Sequence, residues 1–194
     1  MKLEPKQPKI FTICGPSGVG KDTVMKELEK FNLPLRRVIT TTSRPMRIGE
    51  SEGHPYHFVT KKKFQEMTAQ DKFAEYAKVF NSHKGITKVE LEKIIEGELG
   101  VLLQIEHQGA KTIKKKYPQS VVIVITPPSL ESLEKRLRHR GDKQEEELKK
   151  RLEQNKYWKK DYGQFDYFVA NPDNHPEKAA KEISEIIKKH LQLS

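Results

Sequence analysis

The chain has 194 residues, enough to bury a proper core in one or two domains. Charged residues make up 33% and hydrophobic residues 35%, and no apolar run approaches the ~20 residues of a membrane-spanning helix. The net charge is +10, from 37 basic and 27 acidic side chains, and a single cysteine, Cys14, rules out an intrachain disulfide.

In chain order, Met1 to Lys9 lacks the apolar core of a signal peptide, so a cytoplasmic protein is expected. Ile10 to Cys14 is a short apolar run suited to a buried strand. Thr23 to Phe31 places Val24, Leu28 and Phe31 on one helical face. Leu35 to Ile39 predicts a second strand, and residues 40–60, rich in Thr, Arg, Gly and Pro, predict turns and short strands. A short helix is expected over Lys61 to Gln70 and a strand over Phe73 to Phe80. Val89, Leu91, Ile94 and Ile95 mark another helix. Val101 to Ile105 predicts a buried strand, Lys111 to Tyr117 a helix, and Val121 to Ile125 a strand stopped by Pro127 and Pro128. Ser129 can cap the next helix, whose buried side would be Leu130, Leu133 and Leu137. An arginine-rich segment runs from Arg136 to Arg151. Tyr167 to Ala170 predicts a last core strand, and Ile183, Ile186, Ile187 and Leu191 line a C-terminal helix. Strands alternating with helices imply an α/β fold with a mostly parallel sheet covered on both faces. Residues from about 40 to 87 break the alternation, as an inserted subdomain would.

Between the first strand and the first helix lies Gly15-Pro16-Ser17-Gly18-Val19-Gly20-Lys21-Asp22-Thr23. A glycine-rich turn between strand and helix, with a lysine entering the helix, is the pattern of a phosphate-binding loop. Its backbone N–H groups can close around phosphate oxygens, and the helix N-terminus adds partial positive charge. Lys21 is expected to bridge β- and γ-phosphates. Asp22 stands where Ser or Thr ordinarily meets magnesium, with a hydroxyl one position later on Thr23.

The second constellation is Thr40 to Glu50, with Arg44 and Arg47, followed by Gly53 to Phe58, with Tyr56. Arginines, hydroxyls and a tyrosine in one turn-rich segment can grip a phosphate monoester, because a guanidinium fork matches phosphate oxygens. The short basic runs Lys61-Lys62-Lys63 and Lys114-Lys115-Lys116 have no aromatic stacking platform beside them, so no nucleic-acid partner is expected. The histidines show no metal-ligand spacing.

These motifs, together with Phe73-Ala74-Glu75-Tyr76-Ala77, Gln108-Gly109-Ala110, Pro127-Pro128-Ser129, Arg136-Leu137-Arg138-His139-Arg140-Gly141, Arg151-Leu152 and Asn171, resemble guanylate kinase along nearly the whole chain. The resemblance implies a P-loop three-layer fold with a mostly parallel five-stranded core sheet. It divides the chain into a core (1–39, 88–135 and 153–194), an NMP-binding subdomain (40–87) and a lid (136–152). It implies phosphoryl transfer from ATP, with Mg2+, to GMP or dGMP, in a monomer or homodimer with no membrane partner. Gly15 to Thr23 would hold ATP, and Asn171 would sit near the adenine. Thr40, Arg44, Arg47 and Tyr56 would hold the GMP phosphate. Glu75 stands at the guanine-binding carboxylate, suited to accept from N1–H and the 2-amino group together. Arg136, Arg140 and Arg151 resemble lid arginines that close over ATP.

Several positions depart from the family pattern. Lys84 replaces a phosphate-binding tyrosine, and Ile86 replaces a hydroxyl near the guanine, for which Thr87 is the nearest substitute. Gln104 is neutral where an acidic residue would help hold magnesium, while Glu106 keeps the second carboxylate. Asp22, directly or through water, and the Thr23 hydroxyl are the expected magnesium contacts; the alternative is that Asp22 repels the phosphates. Two other readings carry different acceptors or none: a related kinase acting on another nucleoside monophosphate or a ribose bisphosphate, and a non-catalytic interaction module. A sugar phosphate leaves Glu75 without a base to read, and such modules typically lose the phosphate loop that is intact here.

Overall fold

The computed structural model describes residues 9–79, 81–95, 100–139, 145–158 and 163–193. The first strand, β1 (Lys9–Cys14), is buried at every position after Lys9, as a central parallel strand covered on both faces must be. It leads into α1 (Lys21–Glu29), which buries Val24, Met25 and Leu28. Phe31, expected on the same face, lies beyond the helix end and is 37% exposed.

The expected second strand shrinks to β2 (Arg36–Arg37), paired in parallel with β8 (Gly100–Gln104). Likewise β9 (Val121–Thr126) pairs in parallel with β10 (Tyr167–Ala170), in register from Tyr167 beside Ile123 to Ala170 beside Thr126. The five strands form one parallel sheet in the order β10-β9-β1-β8-β2.

The inserted region builds a second five-stranded sheet. Its order is β4 (Ser51–Glu52), β5 (Pro55–Phe58), β3 (Thr40–Thr42), β7 (Ser82–Thr87), β6 (Phe73–Val79). The pair β6–β7 is antiparallel, with a bulge between Phe73 and Glu75 that brings Glu75 opposite Ile86. Thr60 caps α2 (Lys61–Ala69), its hydroxyl oxygen accepting from the Lys63 N–H at 3.1 Å. From that helix Phe64 stacks on Phe73 and on His83, giving the second sheet its own small apolar core.

Of the remaining helices, α3 (Lys88–Ile95) buries Leu91 but leaves Val89 59% exposed, although both were expected to mark its apolar side. The helix expected over Lys111 to Tyr117 begins four residues sooner, as α4 (His107–Lys116). In α5 (Leu130–His139) Ser129 accepts from the Ser132 N–H at 3.0 Å, the predicted cap. Leu133 and Leu137 are fully buried, whereas Leu130, in the first turn, is 45% exposed. Beyond it lie α6 (Glu145–Trp158) and α7 (Pro176–Leu191); the latter packs on α1 and β10 and buries Ala179, Ala180, Ile183 and Ile187. Among the described residues no helix is long and apolar enough to cross a membrane.

By its contacts the chain groups into two units, residues 1–12 with 34–120 and residues 13–33 with 121–194. The first carries the second sheet; the second carries the phosphate loop.

Candidate active site

In the unit of residues 13–33 and 121–194, the loop between β1 and α1 is built on close backbone approach. A Cβ on Gly15 would lie 2.5 Å from the Ile125 carbonyl oxygen, so only glycine fits. Gly18 and Gly20 have left-handed backbones (φ +86° and +93°) on either side of Val19. Gly20 is the N-cap of α1 and supplies no side-chain cap, so the first N–H groups of that helix suit an anion. Lys21 Nζ folds back onto the Gly15 and Pro16 carbonyls, at 2.5 and 3.2 Å. Asp22 is half-buried in the first turn and Thr23 is exposed.

Arg136 and Asn171 converge on the same loop. Arg136, on α5, donates to the Val19 carbonyl at 2.9 Å, to the Asn171 carbonyl at 2.9 Å and to Asp173 at 2.7 Å. Ser132 also donates to Asp173, at 2.5 Å, and these bonds hold that carboxyl below its usual range. Asn171 donates its side-chain amide to the Val19 carbonyl at 2.7 Å. Arg151 is half-buried on α6. Arg140 lies outside the described residues.

In the unit of residues 1–12 and 34–120, the acceptor candidates gather around one aromatic ring. Tyr56, on β5, is buried at 3% exposure. The Arg44 guanidinium lies 5.2 Å from its ring centroid and Lys84 Nζ 4.7 Å from it, both within cation–π range. Lys84 also donates to the Tyr56 hydroxyl and to Glu106, each at 3.2 Å. The lysine in the tyrosine's place therefore still points its charge at the expected phosphate grip.

Arg44 is held by a carboxylate that sequence reasoning left without a role. Glu50 accepts from both terminal nitrogens of Arg44, at 2.7 and 2.5 Å, and from the Arg47 backbone N–H at 2.8 Å. The Arg44 hydrogen bond is the largest cause of a lowered Glu50 pKa. An acid six residues after an arginine in a turn-rich segment is the signal that could have found it. Arg47 itself is exposed, in a turn closed by the Glu50 N–H on its carbonyl and by Gly49 at φ +84°.

Glu75, the expected guanine carboxylate, is buried, 5% exposed, with Oε2 accepting no hydrogen bond from the described residues. Burial, and then the nearby Glu106 charge, push its pKa up to about 8. It fits only because residue 109 has no side chain: a Cβ there would lie 2.3 Å from Glu75 Oε1. Ile86, opposite, is fully buried and offers nothing polar. Two hydroxyls are already engaged. Thr40 donates to the Gln104 carbonyl at 3.3 Å from a site 2% exposed, and Thr87 caps α3 by accepting from the Glu90 N–H at 3.2 Å. Gln104 itself accepts from Arg37 at 2.7 Å.

No group in either unit is set up, among the described residues, as a covalent nucleophile with its base. What both units offer is positive charge and N–H donors arranged for phosphate. That defines the class: a P-loop phosphotransferase, working by positioning and electrostatics. Comparison with known proteins narrows it. The guanylate kinase family model matches residues 7–190. The guanylate kinase of Rickettsia felis is 40% identical over 178 residues, 92% of each chain. That of Clostridioides difficile is 40% identical over 182 residues, 94% of this chain and 88% of its own. Among solved structures, a guanylate kinase from Anaplasma phagocytophilum matches with a TM-score of 0.78 at 26% identity, over 97% of this chain and 88% of that one. TT1252 from Thermus thermophilus, at 15% identity and a TM-score of 0.53, shares the fold. The chain belongs to the guanylate kinase family, whose reaction is the ATP-dependent phosphorylation of GMP.

Proposed function

We propose that this chain performs that reaction with two half-sites, one in each unit. Residues 15–23 take the triphosphate of ATP, with Lys21 moving from its loop carbonyls to the β- and γ-phosphates. Arg136, Arg140 and Arg151 serve the donor side within a lid of residues 136–152. Residues 40–87 form the acceptor subdomain, where Arg44, Arg47, Tyr56 and Lys84 take the GMP phosphate and Glu75 takes the guanine. The observation that carries the reading is the Glu75 carboxyl, buried with an unsatisfied oxygen. A purine presenting two adjacent N–H donors answers that deficit, and adenine presents no such pair. Thr40 can donate to GMP only by giving up its bond to the Gln104 carbonyl, whereas Thr87, which accepts from the Glu90 N–H, keeps its own O–H to donate.

The residues present fit a magnesium ion brought in with ATP. Mg2+ is held by one or two protein oxygens beside phosphates and waters, and Asp22 and Thr23 supply oxygens in the first turn of α1. Bound there, Mg2+ would neutralise charge on the β- and γ-phosphate oxygens. No cluster of three or more acidic, His or Cys ligands occurs among the described residues, which agrees with a metal carried by its nucleotide. The use of ATP and GMP agrees with a cytoplasmic location.

The test is an ADP-release assay across GMP, dGMP, AMP, UMP, CMP and a ribose bisphosphate, with and without Mg2+. Turnover of GMP and dGMP only, lost without metal, is the expected result. Absence of turnover with every nucleoside monophosphate would refute the proposal, and turnover of the ribose bisphosphate alone would reassign Glu75.

A further inference from the structure

The phosphate loop is gripped from outside, and the grip falls on one peptide group. Val19 and Gly20 share that peptide, whose carbonyl and N–H point in opposite directions because the bond is planar and trans. Two donors take the carbonyl: the Asn171 side-chain amide at 2.7 Å and Arg136 Nη1 at 2.9 Å. Holding the Val19 carbonyl outward fixes the direction of the Gly20 N–H, the last backbone donor before α1 begins at Lys21. The flanking left-handed glycines, φ +86° and +93°, make this stretch easy to rotate in the absence of such a hold.

Asn171 is itself immobilised. Its N–H donates to the Thr126 carbonyl at 2.8 Å, and its carbonyl accepts from Arg136 at 2.9 Å. The residue is 4% exposed; its side-chain N–H is taken by the Val19 carbonyl, while its Oδ1 is buried and accepts no hydrogen bond from the described residues. A Cβ on Gly20 would come within 2.6 Å of its amide nitrogen, so nothing can be inserted between the two.

We infer that Asn171 is a positioning residue of the phosphate loop, its amide donor acting through the Val19–Gly20 peptide on triphosphate affinity. The inference rests on the assignment of residues 15–23 to the triphosphate. The experiment is calorimetry of Asn171→Ala and Asn171→Leu against inorganic tripolyphosphate, ATP, GTP and GMP, the nucleotides and tripolyphosphate with Mg2+. The leucine keeps the bulk of the side chain without charge but loses the donor. Both variants should weaken tripolyphosphate and ATP by the same factor, about tenfold for one lost hydrogen bond to a buried carbonyl. The ATP-to-GTP ratio and the GMP affinity should stay at their starting values. Weaker ATP with unchanged tripolyphosphate would make Asn171 a base reader and overturn the inference. So would unchanged binding of both, or loss of GMP binding in both variants, which would mean a general structural role. Failure of the unaltered protein to bind tripolyphosphate while it binds ATP would instead remove the phosphate-loop assignment beneath it.

Discussion

At the scale of single residues, the acceptor unit stores unbalanced charge chemistry. Glu75 is protonated below a pKa of about 8, whereas an unfolded carboxyl ionises near 4.5. Between those values the folded state binds the extra proton, so stability falls as pH rises from about 4.5 to about 8. In chemical unfolding of the unliganded protein, Glu75→Gln should remove that slope. In the proposed role the guanine N1–H and 2-amino group need the ionised form, so GMP binding would release the proton. Glu75 should add a rise in affinity of up to about tenfold per pH unit that levels off at about pH 8, and the glutamine variant should keep only the rise from the GMP phosphate, whose second pKa is about 6. A GMP dissociation constant independent of pH in the unaltered protein would refute this. Glu50 gives a second prediction. Its carboxylate presents two oxygens to three N–H groups of Arg44 and Arg47, and an amide presents one. Glu50→Gln should therefore raise the KM for GMP about tenfold with a smaller change in kcat. A lowered KM would show instead that Glu50 shields Arg44 from phosphate.

At the scale of elements, the start of α4 and the bulge in β6 share one small space. Gly109 leaves room for the Glu75 carboxyl, and a methyl group there would meet it at 2.3 Å. Gly109→Ala should raise the KM for GMP at least about tenfold and leave the KM for ATP unchanged; equal effects on both nucleotides would mean that α4 had shifted as a whole. Elements with a strong local signature were legible in the sequence. The Val-Val-Ile-Val-Ile run of β9 can only be a buried strand, and the glycine spacing between β1 and α1 has few structural meanings. β7 was not legible, because Ser82-His83-Lys84-Gly85-Ile86-Thr87 has no strand-like alternation and is held by its pairing with β3 and β6. Leu130 misled because a residue in the first turn of a helix can satisfy the apolar spacing and still face water. The candidate site residues were singled out by motif, but their partners were not. Nothing local tells that Lys84 meets Glu106, or that Asn171 meets Val19 across 152 positions of sequence.

At the scale of the whole molecule, a net charge of +10 on an enzyme with two anionic substrates should steer both of them. Raising ionic strength from about 0.01 to about 1 M shortens the screening length from about 30 to about 3 Å. The kcat/KM for GMP should fall steadily over that range, with kcat less affected; a flat response would confine the useful charge to side chains in direct contact with phosphate. The chain path has a different kind of consequence. Each of the two units is made of two separated stretches, and the backbone passes between them after residues 12, 33 and 120. A single cut or fusion point cannot isolate the half that carries the phosphate loop from the half that carries Glu75. Exchanging either half with a relative requires three coordinated junctions, one of them inside β1. A single crossover therefore cannot exchange one unit while leaving the other whole.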